Sequence, residues 1–204
     1  MARMPSGLVN LVVTSPPYNM RTRIRNGQYT TRERSDHFSK KYAHFGDDLP
    51  IADFYKQHRQ IIKELLRVSP MVLYNIQIVT GSKEAFLKLI GTFRKYIKDI
   101  IDWEKDTEQP AMHGQVLNAA HELILVMQSP AEAGRALKYA NFERGTLSNH
   151  WKGMGRGETF DGHGATFPLN LARTCINKFS KVGDVVYDPF SGLGSTAIAA
   201  HQLE

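Results

Sequence analysis

Residues 182–201 read Val182-Gly183-Asp184-Val185-Val186-Tyr187-Asp188-Pro189-Phe190-Ser191-Gly192-Leu193-Gly194-Ser195-Thr196-Ala197-Ile198-Ala199-Ala200-His201. An apolar β-branched run gives way to a turn with two glycines, and that to an alanine-rich stretch. The pattern predicts a strand over 182–187, with Gly183-Asp184 turning the chain into it, a turn over 188–195, and a helix beginning at Thr196. Gly192 and Gly194 permit close backbone approach to a ligand beside a helix N-terminus. No Gly-Lys-Ser/Thr follows, which argues against a nucleoside-triphosphate loop.

A second strand-to-turn junction lies near the other end of the chain. Residues 8–13 form a short run rich in Val and Leu, and Thr14-Ser15-Pro16-Pro17-Tyr18 ends it. Between the two junctions, helical spacing covers 53–68, with Phe54, His58, Ile61, Ile62, Leu65 and Leu66 on one face, and 82–96, with Ser82 as its cap. Strands are expected at 71–79, 97–103 and 122–127, and Pro168 opens a helix through Cys175 to Phe179. Strands alternating with helices predict a parallel-rich α/β sheet covered on both faces. Both turns then fall where such sheets place ligand sites, at the carboxyl ends of strands.

The residues at 15–18 suit one kind of chemistry. An exocyclic amino group of cytosine or adenine is a poor nucleophile because its lone pair is delocalised into the ring. Fixed hydrogen-bond acceptors facing that group favour a more tetrahedral nitrogen. Ser15 offers a hydroxyl, and the carbonyl before a proline sits on restricted backbone. Two prolines fix φ and carry no N–H. Tyr18 supplies a flat face for a flipped-out base.

Ser15-Pro16-Pro17-Tyr18 resembles the catalytic tetrapeptide of the amino-methyltransferases, written as Asp, Asn or Ser followed by Pro-Pro and an aromatic residue. Asp188-Pro189-Phe190-Ser191-Gly192-Leu193-Gly194-Ser195-Thr196 resembles the same family's binding segment for S-adenosyl-L-methionine. The stretch with Thr166, Phe167 and Pro168 is similar to the segment that covers the cofactor from its other side. With the catalytic segment first and the cofactor segment last, the order resembles the circularly permuted β class of DNA amino-methyltransferases. The resemblance implies a Rossmann-like α/β methyltransferase sheet and a single catalytic domain over 1–204. Its cofactor residues would be Thr166, Phe167, Pro168, Asp188, Pro189, Phe190, Ser191, Gly192, Gly194, Ser195 and Thr196.

The charge distribution agrees with a polyanionic partner. The chain carries a formal charge of +6 and a pI near 9.4, which by itself is a weak sign. Arg21, Arg23, Arg25, Arg32, Arg34, Lys40 and Lys41 crowd a segment with no apolar period, a basic loop over 19–47. Residues 129–163 are rich in Gly, Asn, Arg and Lys, and in this class fall where the target is recognised. There Arg135, Lys138, Tyr139, Arg144, Asn149, His150, Trp151, Lys152 and Arg156 suit contacts to phosphates and base edges of double-stranded DNA. Arg144, Lys152 and Arg156 are the candidates carried forward; a solvated irregular loop is the plainer alternative.

Ser at the first tetrapeptide position leans toward cytosine N4 within the family, and adenine N6 is the runner-up. Cytosine C5 chemistry needs a cysteine nucleophile, whereas Cys175, the single cysteine, lies on an apolar helix face and reads as core. That cysteine count excludes an internal disulfide and a cysteine-rich metal cluster, and agrees with a reducing, cytoplasmic setting. No apolar run reaches the ~20 residues of a membrane-spanning helix. The sequence stops at Glu204, within the helix after the glycine turn, whereas the family continues into a strand whose acidic end binds the cofactor ribose. We therefore expect a sheet truncated at both ends. That expectation leaves room for a homodimer, a complementing chain that supplies missing strands, or a DNA-binding subunit without catalysis.

Overall fold

The structure, a computed structural model, describes residues 1, 3–19, 24–25, 28–29, 49–79, 81–109, 115–157 and 167–204. Among them a six-stranded sheet has the order β7-β5-β6-β4-β1-β8. Its strands are β1 (Leu11–Thr14), β4 (Met71–Ile76), β5 (Ile97–Gln109), β6 (Ala119–Gln128), β7 (His150–Trp151) and β8 (Val186–Tyr187). A separate pair, β2 (Ile24–Arg25) and β3 (Gln28–Tyr29), is antiparallel. The helices are α1 (Ile51–Val68), α2 (Lys83–Phe93), α3 (Leu169–Phe179) and α4 (Ser195–His201).

Five strands of the large sheet share one direction and β6 alone runs against them, antiparallel to both β4 and β5. The parallel-rich expectation holds. Alternation along the central strands divides their side chains between two cores. Leu11, Val13, Met71, Leu73, Ile124 and Val126 meet Leu171, Cys175 and Phe179 of α3 and Ala199 of α4. Val12, Val72, Tyr74, Ile76, Leu125 and Met127 meet Ile61, Ile62 and Leu65 of α1 and Phe86 and Leu89 of α2. Burial on both faces explains why β1 and β4 read as largely apolar runs, with Thr14 and Asn75 near their carboxyl ends. Truncating a side chain as enclosed as Leu65 costs about 2–5 kcal/mol.

Several boundaries differ from the sequence reading, each for a local reason. The strand expected over 182–187 shrinks to Val186–Tyr187. Lys181 to Asp184 is a turn in which the Lys181 amide donates to Asp184 Oδ2. Val185 is held by Asn10, whose side-chain oxygen accepts from the Val185 amide at 2.9 Å. Ser82 sits at the N-cap of α2 without capping it; its hydroxyl donates back to Gln77 O at 3.1 Å and tightens the preceding turn. Helix α2 ends at Phe93, and α1 starts two residues earlier than Asp53. The strand expected to end at Trp103 continues to Gln109: Glu104 and Gln109 pair with His121 and Ala119 of β6, with a register shift between them.

The irregular stretch after β6 is not a free loop in its described part. Its short strand β7 pairs with β5, Trp151 is buried, and Leu137, Phe142, Leu147 and Met154 pack against the α3-side core. The Ser129-Pro130 peptide at its start is cis.

Candidate functional site

Because Leu11 and Val12 pair in parallel with Val186 and Tyr187, the two turns of interest open at one edge of the sheet. A hydrogen bond joins them: Thr14 Oγ1 donates to Asp188 Oδ1 at 2.7 Å. Asp188 Oδ2 accepts from Thr196 Oγ1 at 2.8 Å, and the Phe190 amide donates to Oδ1 at 3.0 Å. Asp188 thus braces the end of β1, its own turn and the start of α4. Burial raises its carboxyl above the ordinary range, with those three hydrogen bonds pulling the other way.

In the glycine turn, Gly194 donates its amide to Ser191 O at 2.7 Å. Gly192 and Gly194 have φ of +50° and +82°, and a Cβ at Gly194 would meet nothing within 4 Å. The glycines are therefore required by conformation, and open space lies over the turn. Phe190 packs partly into the α1/α2-side core; Ser191 is exposed, and Pro189 and Ser195 are half-buried. Phe167 meets the Trp103 ring edge-on at 6.3 Å, and Pro168 is the N-cap of α3. Thr166 lies outside the described residues.

The tetrapeptide is anchored by groups from three strands. Pro16 and Pro17 are buried, and Ser15 and Tyr18 are half-buried. Tyr18 Oη donates to Glu122 Oε2 at 2.6 Å and lies 2.8 Å from Ser15 Oγ. Asn75 Nδ2 donates to Tyr18 Oη at 2.6 Å and to Glu122 Oε2 at 2.7 Å, and is 3.3 Å from Ser15 Oγ. The other oxygen of Glu122 pairs with Lys105 Nζ at 2.6 Å, both side chains being nearly enclosed. Asn19, at φ +58°, pins the exit of the segment by donating to Leu49 O and Gly81 O.

The polarity of this network follows from its end. A carboxylate paired with a lysine only accepts. Tyr18 has one proton, directed at Glu122, so Ser15 is the donor in the Ser15–Tyr18 bond. The two amide protons of Asn75 serve Tyr18 and Glu122 at the shorter distances. Ser15 Oγ, half-buried, is left with acceptor capacity beyond its long 3.3 Å contact with Asn75 Nδ2. Two buried polar atoms, Asn75 Oδ1 and the Nε1 of Trp103, which stands opposite Glu122, have no protein partner among the described residues.

The basic candidates divide. Arg144, Lys152 and Arg156 are exposed and make no ion pair among the described residues. Arg135 is paired with Asp99, Lys138 with Glu132 at 2.6 Å, and His150 lies between Asp102 and Glu104, so three residues read as suiting DNA are held by acidic neighbours. Arg21, Arg23, Arg32, Arg34, Lys40 and Lys41 fall outside the described residues, and Arg25 is known by its backbone in β2 alone. Cys175 is fully buried on α3, and burial drives its thiol up in pKa, which agrees with a core role.

Sequence reading missed Asn75, Lys105 and Glu122. The available signal was Glu122 itself, a carboxylate just ahead of the apolar run 123–127, and Asn75 interrupting the run of β4.

A family model described as DNA methylase matches residues 9–204. The chain belongs to the DNA methylase family. Among curated proteins it is 25% identical over 226 residues to the Type II beta methyltransferase M.BslI of Bacillus sp. (strain NEB-606), covering 93% of this chain and 22% of that protein. The chain thus spans about a fifth of the length of that relative. Among solved structures it resembles the PvuII DNA methyltransferase (cytosine-N4-specific), with a TM-score of 0.67 and 14% identity over 100% of this chain and 74% of that one. It also resembles the DNA modification methylase TTHA0409 of Thermus thermophilus in complex with S-adenosyl-L-methionine, at a TM-score of 0.58 and 23% identity over 99% and 79% of the two chains. At these identities the likeness shows the methyltransferase fold.

Proposed function

We propose that this DNA methylase family member transfers a methyl group from S-adenosyl-L-methionine to the exocyclic N4 of a flipped-out cytosine in double-stranded DNA. The observation that carries the reading is the polarity of Ser15, an acceptor fixed by Tyr18, Asn75 and Glu122. Thr14 and Asp188 hold it beside the glycine turn.

The residues present fit the cofactor. The space over Gly194 is open to a ligand. The buried Trp103 Nε1, next to Phe167, is a donor without a protein partner among the described residues. When bound, the cofactor supplies an electrophilic methyl group. Ser191, Ser195 and the backbone of 189–194 would line its polar part, with Phe167 and Pro168 closing the other side.

Toward the base, Ser15 accepts a hydrogen bond from the amino group and favours a nitrogen lone pair directed away from the ring. Pro16 and Pro17 keep competing N–H donors out of this edge, and Tyr18 is held with its hydroxyl fixed. Arg144, Lys152, Arg156 and the basic segment of Arg21, Arg23, Arg25, Arg32, Arg34, Lys40 and Lys41 would meet phosphates, a salt-sensitive contribution.

Incubation with methyl-labelled cofactor and duplex DNA, followed by nucleoside digestion and mass spectrometry, tests the reading. Label on cytosine N4 is expected, and label on adenine N6 replaces the base assignment while keeping the chemistry. Cofactor binding without transfer to DNA overturns the catalytic reading in favour of a DNA-binding subunit. The relationship to M.BslI suggests a modification role in a restriction system, with any complementing chain or second copy to be sought by size measurement.

A further inference from the structure

Methylation of an amino nitrogen leaves a cationic nitrogen that must lose a proton, and the chain offers a defined path for it. We propose that Glu122 is the terminal acceptor of a proton relay running from the base amino group through Ser15 and Tyr18. The inference rests on the methyl-transfer reading above and adds residues that the tetrapeptide alone does not contain.

The geometry is a directed chain. Ser15 Oγ and Tyr18 Oη are 2.8 Å apart, and Tyr18 Oη and Glu122 Oε2 are 2.6 Å apart. Ser15 alone has nowhere to put a proton, because a serine hydroxyl that gains one must lose its own. Here its own proton already points to Tyr18, and that of Tyr18 points to a carboxylate. Nearby water is restricted: Pro16, Pro17 and Asn75 are buried and Glu122 is 8% exposed.

The step balances. The lone pair of the amino nitrogen forms the new N–C bond, and the C–S pair returns to sulfur. One N–H bond then breaks and its proton passes to Ser15 Oγ. The Ser15 proton moves to Tyr18 Oη and the Tyr18 proton to Glu122 Oε2. The base ends neutral, Ser15 and Tyr18 are restored, and Glu122 ends as a carboxylic acid still hydrogen-bonded to Lys105. Asn75 takes no proton; it holds Tyr18 and Glu122 in line by donating to both. Glu122 touches no substrate atom and is a positioning and relay residue.

Single-turnover methylation of duplex DNA by the full chain tests this, with cofactor affinity measured in parallel by calorimetry. Tyr18→Phe keeps the ring and removes the middle link, and Glu122→Gln keeps the shape and removes the acceptor charge. Each is expected to slow transfer about 100-fold, the scale of general acid–base assistance, with cofactor affinity within about twofold. The double variant is expected to be no slower than either single one, since a chain is broken once.

The pH profile separates relay from mere support. A relay that ends on a carboxylate should give wild-type transfer an acid limb in its pH profile. Glu122→Gln should be slow with that limb absent. The titratable and charged groups bearing on this measurement are Lys105, paired with Glu122, Tyr18, and Asp188 beyond Thr14. Asp188 is common to both proteins, so the difference between their profiles isolates Glu122. Where Glu122→Gln alone unfolds the chain by leaving Lys105 unpaired, the pair Lys105→Met with Glu122→Gln replaces it, and Tyr18→Phe is decisive by itself. Transfer by Tyr18→Phe at the wild-type rate, or an unchanged acid limb in Glu122→Gln, overturns the relay alone. Wild-type protein that binds cofactor and DNA yet transfers nothing overturns the methyl-transfer reading, and the relay with it.

Discussion

Thr14 and Asp188 stand 174 positions apart in the chain and are joined by one hydrogen bond of 2.7 Å. It ties the residue before the tetrapeptide to the residue that opens the glycine turn, both buried or nearly so. Thr14→Val is expected to lower stability by about 1.5–3 kcal/mol, the scale of a hydrogen bond to a charged group. It should also weaken cofactor binding, because the acceptor edge and the turn lose their common brace. Urea unfolding and calorimetry with S-adenosyl-L-methionine check the two parts, and unchanged values for both would show the bond to be incidental.

Ser15→Ala removes the hydroxyl acceptor while leaving Tyr18, Asn75 and Glu122 bonded to one another. A slower methyl-transfer step with little change in cofactor affinity is expected, on the order of 100-fold. Equal losses in transfer and cofactor affinity would assign Ser15 a structural role.

How far the site was legible follows from where its parts come from. The tetrapeptide and the glycine turn are local strings, so their residue types reveal their chemistry. Their meeting at one sheet edge was also foreseeable, because each follows a strand of a parallel-rich sheet. Glu122, Lys105 and Asn75 belong to three other strands, and only register brings them together: Trp103 stands opposite Glu122, and Asn75 opposite Ile124. No periodicity in one strand encodes its partner's offset. Similarly, Ser82 carries a capping signal, yet its hydroxyl bonds the turn behind it. Arg135 and Lys138 looked available for DNA until folding placed Asp99 and Glu132 beside them.

His58 supplies a pH-dependent contribution to stability. It is buried on α1, its ring near that of Phe54, and its Nδ1 is bonded to the hydroxyl of Tyr74. Burial pulls its pKa from 6.5 down to about 4, so the folded state favours the neutral ring. The unfolded chain binds a proton first as pH falls. The contribution is therefore fully present above the unfolded value of 6.5 and is lost progressively between about pH 6.5 and about pH 4. The shift corresponds to about 3 kcal/mol. His58→Gln keeps an acceptor for Tyr74 and cannot charge, so its stability should decline less across that interval. Denaturant midpoints measured from neutral pH down to about pH 4 would show it; parallel curves for the two proteins would exclude His58 as the source.

Arg144, Lys152 and Arg156 are exposed and without acidic partners among the described residues. Arg135 has a similar charge but is held by Asp99. If the first three meet phosphates, each released counterion contributes to the salt dependence of DNA binding. Replacing Arg144, Lys152 and Arg156 together by alanine should weaken duplex binding at low salt. It should also reduce the slope of log affinity against log salt by about 0.9 for each phosphate left unneutralised, or about 3 in all. Arg135→Ala should change that slope by less than one, because its guanidinium is already neutralised by a carboxylate. Fluorescence anisotropy with a labelled duplex across a salt series measures both. A slope that responds to Arg135 and not to the other three would move the DNA-facing surface to the neighbourhood of Arg135 and Asp99.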